Sequence, residues 1–172
     1  MKKNALVGII MGSDTDLEVF AEAAKVLEEF GVAYTMTVGS AHRSPDLVHK
    51  HVKGATSHGI KLFIAGAGGA AHLAGVVASL TTLPVIGIPV KAKTLDGLDS
   101  LLSTVQMPPD IPVATVGINA GKNAGLLAVQ ILAVSDKDLE NKLITYKKKI
   151  AGDTEAKGEK LLQIGYKKYL EK

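Results

Sequence analysis

Leu6-Val7-Gly8-Ile9-Ile10-Met11-Gly12-Ser13-Asp14-Thr15-Asp16 decides the fold. Leu6 to Met11 is apolar with no polar alternation, the pattern of a strand covered on both faces. Gly12-Ser13-Asp14 breaks the run, and Leu17, Phe20, Ala21, Ala24 and Leu27 then recur at helical spacing up to Phe30. The same unit repeats down the chain. Ala33 to Val38 reads as a second strand and Asp46 to Ser57 as its helix, with Pro45 in the first turn, where a missing N–H does no harm. Lys61 to Ala65 is the third strand; Gly66-Ala67-Gly68-Gly69-Ala70-Ala71-His72 follows as a loop, and an apolar helix runs on to Leu80. Pro84 to Val90 is the fourth strand and Asp96 to Val105 its helix. After the loop Met107-Pro108-Pro109-Asp110-Ile111-Pro112, Val113 to Ile118 is the fifth. Asn119 to Val134 is apolar almost all round, which predicts a helix buried on most faces. Five strand–helix units predict an α/β protein with a parallel sheet covered on both sides.

The ends of the chain complete this frame. Met1-Lys2-Lys3-Asn4 leads into a short apolar segment that meets a helix start at once, so a strand is expected there and not a signal peptide. Asp136 to Lys172 scatters Leu139, Leu143, Ile150, Leu161, Leu162, Tyr166, Tyr169 and Leu170 among lysines and acids, with an interruption expected at Ala151-Gly152-Asp153. A helix added after the sheet is complete has no obvious place in its core. The predicted organisation is therefore a body over residues 1–135 and a helical extension over 136–172 that packs on a neighbouring subunit.

At 172 residues the chain has the size of one domain. Its hydrophobic fraction of 47%, without tryptophan, comes mostly from Ala, Val, Ile and Leu, more than a monomer of this size needs to bury. A homo-oligomer is expected, because obligate interfaces resemble a core cut in half. The net charge of +3 lies in the tail: residues 1–135 hold 10 Lys plus Arg against 10 Asp plus Glu, and residues 136–172 hold 10 against 7. A neutral body with 4% aromatic residues argues against nucleic-acid binding, and Lys147-Lys148-Lys149 reads as a solvated helix face. The absence of cysteine rules out disulfides, thiol catalysis and cysteine-ligated zinc. No run approaches the roughly 18 apolar residues of a membrane helix, and a cytoplasmic protein is expected.

In an open parallel sheet, ligands bind beyond the carboxyl ends of the strands. Three loops converge there. Gly12-Ser13-Asp14-Thr15-Asp16 has the spacing of a capping box, yet a helix amino terminus also offers N–H groups and a positive dipole end to a phosphate, so both readings stand. Ser40-Ala41-His42-Arg43-Ser44 holds the only arginine among 20 basic residues, beside a histidine. A guanidinium fork grips phosphate or carboxylate bidentately, and imidazole titrates nearest neutrality. That pairing suggests an anion clamp beside a proton shuttle, whereas His49, His51 and His58 fall among lysines and read as surface residues. The third loop, Gly66 to His72, lets backbone approach a ligand closely through Gly68, Gly69 and Ala70. His72 at its end either lines the site or caps the next helix.

Other assignments fail on particular residues. Gly66-Ala67-Gly68-Gly69-Ala70-Ala71 fits a loose dinucleotide pattern but follows the third strand, and Ile86 to Val90 supplies no acid for a ribose. A phosphoryl receiver needs an aspartate after strand three and a lysine after strand five, where this chain has Gly66 and Asn119. No metal-ligand spacing, G-x-S-x-G or Walker sequence occurs.

Met11-Gly12-Ser13-Asp14-Thr15-Asp16, Ser40-Ala41-His42-Arg43-Ser44-Pro45 and Gly66 to Leu73 together resemble the PurE family of purine biosynthesis. Asp99-Ser100-Leu101-Leu102-Ser103, Val105-Gln106-Met107-Pro108 and Lys122-Asn123-Ala124 extend the resemblance over nearly the whole chain. It implies a flavodoxin-like three-layer αβα fold and an octamer with active sites at subunit interfaces. Arg43, where direct carboxylases of the family typically carry lysine, points to the type I members, the N5-carboxyaminoimidazole ribonucleotide mutases. The alternatives are a direct aminoimidazole ribonucleotide carboxylase and a non-catalytic nucleotide-binding module. Gly117-Ile118-Asn119-Ala120-Gly121 departs from the family by being shorter than its usual glycine-rich segment.

By resemblance, Ser13 and Arg43 bind the 5′-phosphate with Gly12, Ser40 and Ala41 around it, and Asp16 takes the ribose hydroxyls. His42 moves the protons; Gly68, Gly69, Ala70 and His72 form the pocket for carbon dioxide. No metal or organic cofactor is implied, and the only partners are the ribonucleotide and further copies of the chain.

Overall fold

A computed structural model describes residues 5–171; Met1 to Asn4, expected to lead into the first strand, and Lys172 lie outside the described residues. The five strands are β1 (Val7–Met11), β2 (Tyr34–Val38), β3 (Leu62–Gly68), β4 (Val85–Val90) and β5 (Ala114–Thr115). They form one sheet in the order β2-β1-β3-β4-β5 with every pair parallel. This is the flavodoxin-like order, with its switch point between β1 and β3. Val7 stands opposite both Tyr34 and Leu62, and that register brings Met11, Val38 and Gly66 to one level. The loops after them therefore open at the same edge.

The helices are α1 (Leu17–Phe30), α2 (Pro45–Ala55), α3 (Leu73–Leu80), α4 (Leu98–Val105), α5 (Gly121–Ala133) and α6 (Lys137–Leu170). Helix α1 buries Phe20, Ala23, Ala24, Val26, Leu27 and Phe30. Each large side chain so buried is worth about 1.5–3 kcal/mol. Gly31, at φ +75°, ends the helix by sending its N–H back to Leu27 and Glu28. On that face α5 crosses α1 so closely that a Cβ at Gly125 would lie 2.8 Å from the Ala23 carbonyl oxygen. Helices α2 and α3 cover the other face, where Val48, Val52, Ala55, Leu73, Ala74 and Val77 pack with Ile10, Phe63, Ala65 and Val85 in one cluster.

Several expectations change. Strand β3 does not stop at Ala65: Gly66, Ala67 and Gly68 continue it, paired with Ile88, Pro89 and Val90. A glycine run reads as loop, but β4 offers a full-length partner there and the ladder extends. Strand β5 is shorter than Val113 to Ile118, because Asn119 turns to φ +55° and the chain leaves the ladder; Val116 and Asn119 still donate N–H bonds to Gly87 and Pro89. Helix α5 buries only Gly121, Ala124, Gly125, Ala128 and Val129, while Lys122, Asn123 and Gln130 are exposed.

The chain divides into two compact units, the first ending at Leu132 and the second starting at Ala133. In the second unit Asp136 caps α6, accepting from the N–H groups of Asp138 and Leu139. Ala151-Gly152-Asp153 does not interrupt α6; the non-helical residue is Gly165, at φ 72° and ψ 159°. A single glycine costs a helix only about 1 kcal/mol, so Gly152 is carried inside the run that precedes the Gly165 kink.

Candidate active site

Beyond the carboxyl ends of β1, β2, β3 and β4 lies a cavity of about 560 Å³. Its lining includes Gly12, Ser13, Asp16, Ser40, Ala41, His42, Arg43, Gly68, Ala70 and His72, so ten of the eleven residues singled out in the sequence meet in one place. Gly69 does not line it; at φ +65° it turns the chain out of β3. Thr15, Ala67, Leu73, Lys91, Ala92 and Lys93 complete the wall. Lys91-Ala92-Lys93 follows β4, and the rule that singled out the first three loops applies equally to this fourth one.

Gly12 is the hub of the first loop. Its N–H donates to the Gly66 carbonyl at 3.0 Å, its carbonyl accepts from Arg43 Nη2 at 2.9 Å, and the Ala67 Cβ lies 2.9 Å from where a side chain would start. Any larger residue there would push the first and third loops apart. Ser13 caps the turn that follows it: its Oγ accepts from the Thr15 N–H at 3.4 Å, while the Asp16 side chain caps nothing at the start of α1. The Asp16 carboxyl is instead buried at the cavity wall. Burial raises its pKa above the ordinary 3.8, a rise opposed by hydrogen bonds from Thr15 and Ser13 and by the charge of Arg43.

The second loop is tied by its own hydroxyls. Ser40 N–H donates to Ser44 Oγ at 3.0 Å, and Ser40 Oγ accepts from the Arg43 N–H at 3.1 Å. Arg43 also directs Nε at Ser40 Oγ, 3.4 Å away. With Nη2 on Gly12, two of the five guanidinium donors hold the loops together, and the others remain for an anion.

His42 Nε2 lies 2.8 Å from His72 Nδ1, with the rings at 86° and their centroids 4.9 Å apart. This decides between the two readings of His72: it lines the cavity, and its side chain does not cap α3. One of the two ring nitrogens carries the shared hydrogen and the other accepts it, so the pair stores a single proton along that edge. Such a pair can pass a proton to a bound molecule and take one back.

On the fourth loop, Lys91 pairs with Asp96 at 2.8 Å, which lowers the Asp96 pKa. The Lys91 N–H donates to Asn119 Oδ1 at 2.8 Å, so the short segment after β5 pins the start of this loop. The lining holds Arg43, Lys91 and Lys93 with one carboxylate, Asp16, a balance suited to a ligand of more than one negative charge. Among the described residues no three His, Asp or Glu side chains cluster as a metal ion would require, and no helix is long and apolar enough to cross a membrane.

Of the other histidines, His49 and His58 are exposed as expected, but His51 is half-buried. Burial lowers its pKa, with nearby His58 adding to the effect, and its Nε2 is buried with no hydrogen-bond partner among the described residues.

Residues 6–153 match the AIR carboxylase family. A Thermotoga maritima protein named N5-carboxyaminoimidazole ribonucleotide mutase is 56% identical over 95% of this chain and 96% of its own. A Candida glabrata protein named phosphoribosylaminoimidazole carboxylase is 53% identical over 98% of this chain, which corresponds to 30% of that longer protein. Among solved structures, Treponema denticola PurE superposes with a TM-score of 0.84 at 31% identity, over 91% of this chain and 98% of that one.

Proposed function

The chain belongs to the AIR carboxylase family, and from that membership we propose that it moves the carboxylate of N5-carboxyaminoimidazole ribonucleotide from the exocyclic nitrogen to C4 of the imidazole, in purine biosynthesis. The observation that carries this reading is His42, hydrogen-bonded to His72 in a cavity that Ser13, Asp16 and Arg43 also line. The nucleotide's charges match that lining. Its 5′-phosphate binds Ser13, the unused N–H groups of Arg43 and the N–H groups around Gly12, while Asp16 takes the ribose diol. An acid beside the phosphate would repel it but suits hydroxyl donors.

The chemistry needs one proton to travel. The N–C bond of the carbamate breaks, its electron pair stays on nitrogen, and protonated His42 supplies the proton there as carbon dioxide departs. Carbon dioxide rests against Ala67, Gly68 and Ala70, whose small side chains leave room for it. C4 attacks it, and His42 removes the C4 proton to restore the aromatic ring. One proton is given to nitrogen and another is recovered from C4, so no net acid or base is consumed. The protein supplies position and confinement, so that recombination outruns escape.

The carboxylase name of the fungal relative supports a second reading, direct carboxylation of the aminoimidazole ribonucleotide. Arg43 favours the mutase. The two separate when the carbamate substrate is supplied in bicarbonate-depleted buffer. Rapid conversion is the mutase result. Dependence on added bicarbonate with the uncarboxylated nucleotide is the carboxylase result, and turnover of neither leaves only a binding module.

The active form is a cytoplasmic homo-octamer whose sites are completed at subunit interfaces. Support comes from the apolar composition and from Leu161, Leu162, Tyr166 and Leu170 on α6, which are exposed in the single chain and which a neighbouring protomer would cover. Truncation after Ser135 reduces the particle size in light scattering; an unchanged size would refute the role of α6.

A further inference from the structure

Asp99-Ser100-Leu101-Leu102-Ser103 stands out in the sequence, yet none of its residues lines the cavity. Its hydroxyls act on the loops that do. Ser100 is fully buried in α4, and its Oγ lies 2.8 Å from the Val90 carbonyl oxygen, the last residue before the Lys91 loop, and 2.9 Å from that of Gly97. Thr104, equally buried, donates to the Ser100 carbonyl at 2.7 Å. Ser103 is placed differently. Its hydroxyl lies 2.8 Å from the Asp99 carbonyl one turn back, which takes its hydrogen, and its oxygen accepts the Ala71 N–H at 3.0 Å. A serine inside a helix needs only the first of these bonds to be satisfied. The second reaches across 32 residues of sequence to a different element.

Ala71 is 1% exposed and immediately precedes His72, whose ring meets His42. The Ala71 N–H lies just before the start of α3, where the helix's own carbonyls cannot serve it. His72 is held by its own N–H on the Ala70 carbonyl at 2.9 Å and by the Val76 N–H on its carbonyl at 3.0 Å, and Ser103 fixes the residue just before it.

We propose that Ser103 is a positioning residue for the proton chemistry: by accepting the Ala71 N–H it holds the turn that aims His72 at His42. It touches neither substrate nor the reacting atoms and acts only through His72. The activity arm of the test rests on the mutase reading above; a second arm does not.

The test compares the full-length wild type, Ser103→Ala, Ser103→Thr, His72→Ala and the double variant, read by steady-state kinetics and by NMR of the imidazole ring contacts. Ser103→Ala lowers kcat about tenfold, the scale of a sub-ångström misplacement, with KM changed by less than about twofold because the phosphate and ribose contacts lie on other loops. Ser103→Thr, which keeps the hydroxyl, restores the rate. On the His72→Ala background, Ser103→Ala costs almost nothing further. In NMR, the contact between the His42 and His72 rings is seen in the wild type and lost in Ser103→Ala, while the ring signals of exposed His49 and His58 are unmoved. An unchanged kcat, an equal loss on both backgrounds, or a retained His42–His72 ring contact overturns the proposal. Where the alanine variant does not fold, Ser103→Cys, of similar size and a weak acceptor, takes its place with the same criteria. If the wild type fails to interconvert the nucleotides, the mutase reading falls and the NMR arm alone decides Ser103.

Discussion

His42 and His51 belong to the same strand–loop–helix segment, nine residues apart, and the molecule treats them oppositely. His42 stands before α2 at the open edge of the sheet, exposed, with its Nε2 on a second histidine. His51 lies within α2, half-buried, with its Nε2 enclosed and unpartnered and its pKa lowered by burial. The difference is positional. The carboxyl edge of a parallel sheet leaves side chains at loop ends reachable by a ligand, and the hydroxyls of Ser40 and Ser44 hold the loop still. Within the helix the same imidazole packs half-buried, and burial disfavours its charged form.

The largest effect should come from exchanging that function. His42→Asn lowers kcat by about a hundred- to ten-thousandfold and leaves nucleotide binding, measured by calorimetry, near wild type. Loss of binding instead would make His42 a binding group and erase the contrast. Arg43→Lys keeps the charge but loses the fork. It weakens binding by about 1–3 kcal/mol, seen as a raised KM with little change in kcat; an unchanged KM would mean that Arg43 serves only the loops.

Smaller effects sharpen the comparison through stability. The unfolded chain binds a proton at His51 more readily than the folded one. The contribution of neutral His51 is therefore intact above its unfolded pKa of 6.5 and lost as the pH falls through the lower folded value. His51→Leu should flatten urea-denaturation stability between pH 7.5 and 5.5 (roughly the window of histidine titration) while activity persists; an unaltered slope would place the titration elsewhere. Asp16 has the opposite sign. Its folded pKa is raised above 3.8, so the stability it contributes exists at low pH and disappears as the pH rises through the folded value. At neutral pH the ionised carboxylate is a cost. Asp16→Asn should raise Tm slightly, by about 2 °C, and raise KM through the lost ribose contact. A fall in Tm would show that the carboxylate is structural.

Much of this could be read from residue order. Strand–helix alternation led to the sheet and its working edge, and the lone arginine beside a histidine led to the second loop. What escaped notice had physical reasons. Lys91-Ala92-Lys93 has the composition of solvated chain, and only its place after β4 makes it part of the cavity. The His42–His72 bond joins residues 30 apart, and no local pattern encodes it. His51 was legible, because Val48, His51, Val52 and Ala55 share one helical face; flanking lysines suggested a surface residue instead. Glycines misled in both directions: Gly66 and Gly68 extend a strand, and Gly152 sits inside a helix. Propensity lost to available partners in the first case and to helix length in the second.

The central claim is that carbon dioxide is released and recaptured inside this cavity under proton transfer by His42. It is tested most directly with carbamate nucleotide labelled with carbon-13 in its carboxylate, incubated with wild type and His42→Asn in buffer containing unlabelled bicarbonate. Wild-type product carries the label at its C4 carboxylate, and the variant forms essentially none. Unlabelled product from the wild type, or labelled product from His42→Asn at a comparable rate, would contradict it.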